Sequence, residues 1–136
     1  PAHDAHEVTL TDRNGPDDLT LIGKEVTLKA HSLGVAQRAK AFAERLGFDD
    51  ALTSDLHLAG LLHDLGKADE RFQLQLHCGN EIALALATQR GHLLAKSRQE
   101  ADDVRPARAA PSRWPAGLRH EYLSVQLLLA NPAAWM

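Results

Sequence analysis

The sequence has little of several features that would define a particular class of protein. Its single cysteine, Cys78, cannot form a disulfide within the chain, which excludes the disulfide framework of small secreted domains. No apolar run reaches the roughly 18 residues of a membrane-spanning helix, and no secretion signal is recognisable. We therefore expect a cytoplasmic protein without membrane contact. Aromatic residues make up only 4% of the chain, so the core must consist mainly of leucine, alanine and valine.

The charge of the chain is distributed unevenly. The formal net charge is −3, which is a poor match to a protein that coats nucleic acid. Residues 1–89 contain 8 Lys/Arg and 14 Asp/Glu, whereas residues 90–119 contain 7 Lys/Arg and 3 Asp/Glu. A phosphate-bearing partner would therefore contact the second segment.

The pattern of apolar residues predicts an all-α fold in a single domain. Alanine and leucine favour helices, and apolar residues recur at steps of three and four. We expect an entry segment or linker over residues 1–29, with at most a strand near Lys24–Leu28. We expect the domain over 30–136, with a long basic loop at about 90–117, where Pro106, Pro111 and Pro115 interrupt any pattern. The predicted helices cover 31–46, about 53–66, about 69–77, about 81–89 and about 118–130.

The run His57–Lys67 contains the most informative pair of residues, His63 and Asp64, at the end of an apolar helix. Imidazole and carboxylate together suit a first-row divalent metal ion, and Lys67 is placed to meet a phosphate oxygen. An unpaired carboxylate among apolar residues is costly, so Asp64 needs a partner. That partner is either a metal ion or, in the structural alternative, the ammonium group of Lys67.

Two further histidines open predicted helices and are candidate ligands. His31 begins the first long helix and His120 begins the last. With His63 and Asp64 they would meet at one end of a helical bundle, where such sites are built. The alternative for each is an ordinary solvated or capping residue. His57 is predicted to be structural, or to support a ligand rather than to be one.

These residues carry a resemblance to a known superfamily. The combination of His31 with His63-Asp64 resembles the signature of the HD phosphohydrolases. Three segments, Leu58–Lys67, Phe72-Gln73 and Leu118–Ser124, resemble the HD nuclease domain of the helicase-nuclease of type I CRISPR–Cas systems. The resemblance covers about residues 30–130. It implies an HD-domain helical bundle with its metal site at converging helix ends.

The resemblance also implies roles for individual residues. His31, His63 and Asp64 would hold a first metal ion, Asp64 would bridge to a second, and His120 would belong to that second ion. Lys67 would contact the scissile phosphate, so that Asp64 and Lys67 are the implied catalytic residues. The family pattern continues with a His-His pair and a later Asp, which do not follow His120 here. We therefore expect a bundle that is incomplete at its C-terminal end.

The implied activity is cutting of single-stranded DNA. A helicase domain, on the same or another chain, would feed the strand after recruitment by an RNA-guided CRISPR surveillance complex. The ligand types favour one or two ions of Mn, Co, Ni or Fe over Mg. For the DNA path we predict contacts from Arg113, Trp114 and Arg119, against the alternative of a solvated loop. Two other functions stay open, namely an HD phosphohydrolase for nucleotides or cyclic dinucleotides and a metal-free docking module.

Overall fold

Five α-helices account for most of the residues described by the computed structural model, which are 24–97 and 113–134. A two-stranded antiparallel ribbon is the only sheet in this described part. The predicted all-α class is therefore confirmed, with the ribbon as an addition. The helices are α1 (Leu28–Arg45), α2 (Asp50–Leu62), α3 (Glu70–Leu76), α4 (Glu81–Gln89) and α5 (His120–Ala130); the strands are β1 (Val26–Thr27) and β2 (Leu94–Lys96); 3₁₀ turns cover Leu65–Ala68 and Pro132–Ala134.

Side-chain caps explain where the first two helices begin. Thr27 accepts a hydrogen bond from the backbone N–H of Ala30, and Asp49 accepts one from Leu52 at 2.8 Å. Both satisfy a backbone donor that the first turn of a helix leaves free. The predicted start of α2 near Thr53 is a few residues late because Asp49 is the cap.

Helices α1 and α2 pack closely against each other. The contact is possible because Gly60 has no side chain, and a Cβ there would lie 2.9 Å from the Cα of Ala36. His57 Nδ1 donates a hydrogen bond to the Ala36 carbonyl at 3.1 Å, so His57 has the structural role predicted for it. This pairing fixes the end of α2, which precedes the His63-Asp64 pair, against the helix that carries His31.

The ribbon brings the entry segment into the domain. Val26 of β1 pairs with Lys96 of β2, and the Leu28 backbone N–H donates to the Leu93 carbonyl at 2.7 Å. β2 lies within the predicted long loop, and no periodicity could reveal a strand of three residues. Residues 98–112 of that loop lie outside the described residues.

A small apolar cluster holds α3 and β2 together. It consists of Phe72, Leu76 and Leu94, with Trp114 packed against it. The 3₁₀ turn Leu65–Ala68 packs against α5, which brings the C-terminal helix to the end of α2. In the parts of the chain that the structure describes, no helix has the length and apolar character to cross a membrane.

Candidate metal centre

The HD pair lies in the turn that follows α2. The helix ends at Leu62, and the backbone N–H of His63 still bonds to the Ala59 carbonyl at 3.0 Å. Asp64 then leaves helical geometry and leads into the 3₁₀ turn. Consecutive side chains of a continuing helix point about 100° apart. Because the helix ends here, both side chains reach one place, with His63 Nε2 at 3.3 Å from Asp64 Oδ2.

His31 comes to the same place from the first turns of α1. Its Nε2 lies 3.2 Å from Asp64 Oδ2, and its ring centroid lies 5.4 Å from that of His63. One ligand atom from each of His31, His63 and Asp64 lies within 4.8 Å of the other two. The structure therefore brings together the three residues that were predicted to hold the first metal ion.

The electrostatics of Asp64 favour the ionised form. Burial by itself raises the pKa of this carboxyl, since the side chain is almost inaccessible to solvent. The hydrogen bond from His120 and the positive charge of Lys67 outweigh burial and hold the pKa well below its usual range. A buried carboxylate is therefore present at neutral pH.

The donor set fits a divalent metal ion. Asp64 Oδ2 is buried and accepts no well-directed hydrogen bond, although three nitrogen atoms lie within 3.3 Å of it. His63 Nδ1 lies 2.8 Å from the Gly60 carbonyl, which can only accept, so in the neutral ring Nδ1 carries the proton and Nε2 offers its lone pair. Two imidazoles and one carboxylate are ligands typical of zinc and of other first-row transition metals. In the described residues no other group of three such side chains is found.

The surroundings of His31 favour the neutral imidazole, which is the form that binds a metal ion. Burial lowers the pKa of its imidazole, Asp64 opposes this effect, and the positive charges of Lys67 and Lys96 lower the pKa further. The net direction is downward, which favours the neutral ring at pH 7. A neutral imidazole has the free lone pair that coordination requires.

Lys67 is buried beside the carboxylate. Its Nζ lies 2.9 Å from Asp64 Oδ2 and donates to the Ala95 carbonyl at 3.4 Å. The salt bridge offered as the structural alternative for Asp64 is thus present together with the metal-ligand geometry. Contact of Lys67 with a scissile phosphate stays a prediction.

His120 contacts the other oxygen of the same carboxylate. Its Nε2 lies 3.0 Å from Asp64 Oδ1 and, since a carboxylate only accepts, must donate to it. Its Nδ1 lies 3.4 Å from Glu121 Oε2. In this arrangement His120 orients Asp64, and its place in a second metal site stays a prediction.

Gly66 and Ser124 hold His120 in place. Neither residue was assigned a role of its own from the sequence. The backbone N–H of Gly66 donates to Ser124 Oγ at 2.8 Å, and Ser124 Oγ donates to the His120 carbonyl at 3.0 Å. A Cβ on Gly66 would overlap the His120 carbonyl oxygen and lie 2.9 Å from the Ser124 nitrogen. The only signal in the sequence is a glycine two residues after Asp64, and its partner Ser124 lies 58 residues away.

The predicted substrate residues have other partners in the described structure. Arg113 pairs with Glu81 at 2.9 Å, and Arg119 pairs with Glu121 at 2.8 Å. Trp114 donates its indole N–H to the Leu118 carbonyl at 2.7 Å and packs edge-on against Phe72. Trp114 thus contributes to the apolar cluster, and contact of these three residues with DNA stays a prediction.

Comparison with known proteins gives one informative result. A search of curated proteins and a search of solved structures found no match. A family model for the HD domain matches residues 28–128, which include His31, the His63-Asp64 pair and His120. Since this match covers most of the sequence and contains the whole metal centre, the chain belongs to the HD domain family.

Proposed function

We propose that this chain is the metal-dependent nuclease domain that cuts single-stranded DNA during CRISPR interference, in cooperation with an ATP-dependent helicase. HD domains are typically metal-dependent hydrolases. The observation that carries the proposal is the convergence of His31, His63 and Asp64 around a buried carboxylate oxygen without a well-directed hydrogen bond. A purely structural salt bridge to Lys67 would not require two imidazole nitrogens at the same oxygen.

The three convergent residues would hold a divalent metal ion. Three protein ligands are the number typical of catalytic sites, which keep a position open for water or substrate. When bound, the ion supplies Lewis acidity toward a phosphoryl oxygen and lowers the pKa of water. We propose Mn, Co, Ni or Fe, because two of the three ligands are imidazoles and Mg prefers oxygen.

The remaining residues of the centre orient and balance Asp64. His120 fixes one carboxylate oxygen by its hydrogen bond, which leaves the other oxygen directed at His31 and His63. Lys67 places a positive charge 2.9 Å from the carboxylate. In the reaction that ammonium would offset negative charge on the phosphate as the scissile bond breaks.

The residues of the narrower resemblance support a nuclease over other HD phosphohydrolases. Gln73 donates to the Lys67 carbonyl at 2.7 Å, and the Phe72 ring lies 5.1 Å from that of His120. Ser124 holds both His120 and the turn after Asp64. Phe72, Gln73 and Ser124 belong to the motifs that resemble the CRISPR nucleases, and in this chain they contact the residues of the metal centre or the turn beside it.

A DNA strand would contact the basic segment. Arg113 and Arg119 are exposed, and each is paired with one carboxylate. Exposed ion pairs of this kind contribute about 0–1 kcal/mol, so a phosphate group can replace the carboxylate at little cost. The helicase and the RNA-guided surveillance complex are proposed partners on the strength of the resemblance.

Cleavage of circular single-stranded DNA tests this function. The assay compares Mn²⁺, Co²⁺, Ni²⁺ and Mg²⁺ with the wild-type chain and the Asp64→Ala variant, because a circle is cut only by an endonuclease. We expect cutting with the transition metals and a loss of at least about a hundredfold in the variant. Asp55→Ala is the matched control, since Asp55 is exposed on α2.

Two outcomes would contradict the proposal. Equal cutting by the wild type and by Asp64→Ala would show that this carboxylate is not part of the active site. Metal-dependent hydrolysis of free nucleotides without any cutting of DNA would favour the nucleotide phosphohydrolase. Competition between free nucleotides and DNA in the same assay separates these activities.

A further inference from the structure

Strand β2 passes directly beside the metal centre. Lys67 Nζ bridges the two, since it lies 2.9 Å from Asp64 Oδ2 and 3.4 Å from the Ala95 carbonyl. The next residue of the strand is Lys96. Its register partner is Val26 of β1, the strand that leads into the helix carrying His31. The backbone of Lys96 therefore lies near the turn that carries Asp64 and near the start of the helix that carries His31.

The side chain of Lys96 has no acidic partner among the residues that the structure describes. Its ammonium group has no hydrogen bond or ion pair within the described residues, and the side chain is half-buried. Lys67, in contrast, is paired with Asp64, while Arg113 and Arg119 are paired with glutamates.

The charge of Lys96 is close enough to act on a metal-ligand candidate. Burial is the main cause that lowers the pKa of His31, and the positive charges of Lys67 and Lys96 lower it further. A cation next to candidate metal ligands does not help to bind a metal ion, because like charges repel. Its position suits a substrate that is itself anionic and has to lie against the metal.

The strand that carries Lys96 is tied to α3 by hydrogen bonds. Gln73 is fully buried and forms hydrogen bonds with both backbone groups of Leu94, at 2.8 Å to the carbonyl and 2.9 Å from the N–H. The backbone is thus anchored two residues before Lys96, and Lys96 itself pairs with Val26. Groups that are held in place before the substrate arrives bind it at a lower entropic cost.

We propose that Lys96 binds a non-bridging phosphate oxygen of the substrate at the metal centre. A lysine ammonium is a point charge suited to phosphate, and a half-buried position limits screening by salt. This assignment rests on the proposed metal-dependent phosphoesterase function, although it does not depend on DNA as the substrate.

Binding of inorganic phosphate to the Mn²⁺-loaded chain tests the assignment without requiring turnover. The measurement is the broadening of the ³¹P signal by the bound Mn²⁺, which gives a dissociation constant for phosphate at the metal. We expect Lys96→Gln to weaken phosphate binding by about tenfold or more, and Lys96→Arg to restore most of it. Lys40→Gln is the matched control, since Lys40 is exposed on α1.

The outcomes separate this assignment from the proposed function. Mn²⁺ binding in all three variants, with weaker phosphate binding only in Lys96→Gln, supports it. Normal Mn²⁺ binding with the same phosphate affinity in Lys96→Gln and wild type overturns the role of Lys96 and leaves the metal centre intact. A wild-type chain that binds no Mn²⁺ overturns both. Loss of Mn²⁺ binding in Lys96→Gln and in Lys96→Arg alike would make Lys96 a structural residue and also overturn the assignment.

Discussion

At Asp64, the two carboxylate oxygens have different surroundings. Oδ1 accepts the hydrogen bond of His120, whereas Oδ2 lies within 3.3 Å of nitrogen atoms of His31, His63 and Lys67. This division orients the carboxylate and leaves one oxygen for a cation. The sequence could predict that Asp64 needs a partner, because it stands among apolar residues at the end of a helix. It could not divide the partners between the two oxygens.

Gly66 is the glycine at which an added methyl group should destabilise the fold most. In Gly66→Ala the new Cβ overlaps the His120 carbonyl, so α5 must move away from the turn after Asp64. We expect a loss of about 3 kcal/mol or more in the free energy of unfolding, together with weaker metal binding. Urea unfolding in EDTA measures the first effect.

Gly34→Ala is the matched control for Gly66→Ala. Gly34 lies within α1, and a Cβ there meets nothing within 4 Å. Alanine is the better helix former, so this change should stabilise the chain by about 0.5–1 kcal/mol. Similar unfolding curves for the two variants would contradict the close approach of Gly66 and His120.

Among the elements, α3 connects the parts of the chain that surround the metal centre. Through Gln73 it ties the 3₁₀ turn after Asp64 to strand β2, with hydrogen bonds to the Lys67 carbonyl and to both backbone groups of Leu94. Through Phe72 it also packs against His120 and Trp114. The short helix thus joins the turn that carries Lys67 to the strand that carries Lys96.

Removal of the Gln73 side chain should be costly. Gln73→Ala leaves three buried backbone groups without partners, and each unsatisfied group costs about 1–3 kcal/mol. We expect a loss of about 3 kcal/mol or more, measured by urea unfolding. Gln75→Ala is the control on the same helix, since Gln75 Oε1 has no hydrogen bond to any residue that the structure describes. Equal losses in both variants would show that the Gln73 network is absent.

The helices were predictable, and β1 lies within Lys24–Leu28, where at most a strand was expected, but β2 was not predictable, for a physical reason. Apolar residues at helical spacing predicted five helices, and the fourth has the bounds expected, Glu81–Gln89. Strands of two and three residues carry no periodic signal. β2 is instead held by Gln73, a contact across 21 residues that local pattern does not reveal.

For the molecule as a whole, the metal-free form should lose stability in acid. Burial lowers the pKa of His31 and His77 in the folded chain, below the value of about 6.5 that they regain on unfolding. The unfolded chain therefore takes up protons first as the pH falls through that value, which favours unfolding. The stability contribution of these neutral rings is complete above about pH 6.5 and is lost below it.

Asp64 should add a second loss at lower pH. Burial raises the pKa of Asp64, but His120 and Lys67 together lower it by more than burial raises it. The pKa in the folded chain therefore lies below the unfolded value of about 3.9. Its contribution is complete above that value and declines as the pH falls below it. In EDTA we expect the urea midpoint to decrease from about pH 7.5 to about pH 5.5, and again by about pH 3.5. A midpoint that rises over either interval would contradict these assignments.

The metal centre as a whole combines what was predictable with what was not. The residue types and spacing of His31, His63 and Asp64 predicted their convergence, which the structure shows. Arg113 and Trp114 have side chains suited to DNA, but their positions depend on contacts with Glu81 and Phe72 from other helices. Such contacts are set by packing, which charge and spacing along a sequence do not specify.

The most direct test of the metal centre is calorimetric titration of Mn²⁺ into the metal-free chain and its His63→Ala variant. His63 is suited to this test because it is partly exposed and its removal keeps the pair of Asp64 and Lys67 intact. Asp64→Asn serves as the second variant. We expect saturable Mn²⁺ binding by the wild type and a loss of at least about tenfold in affinity in both variants. Mn²⁺ binding that is absent in the wild type, or equally tight in all three proteins, would contradict this prediction.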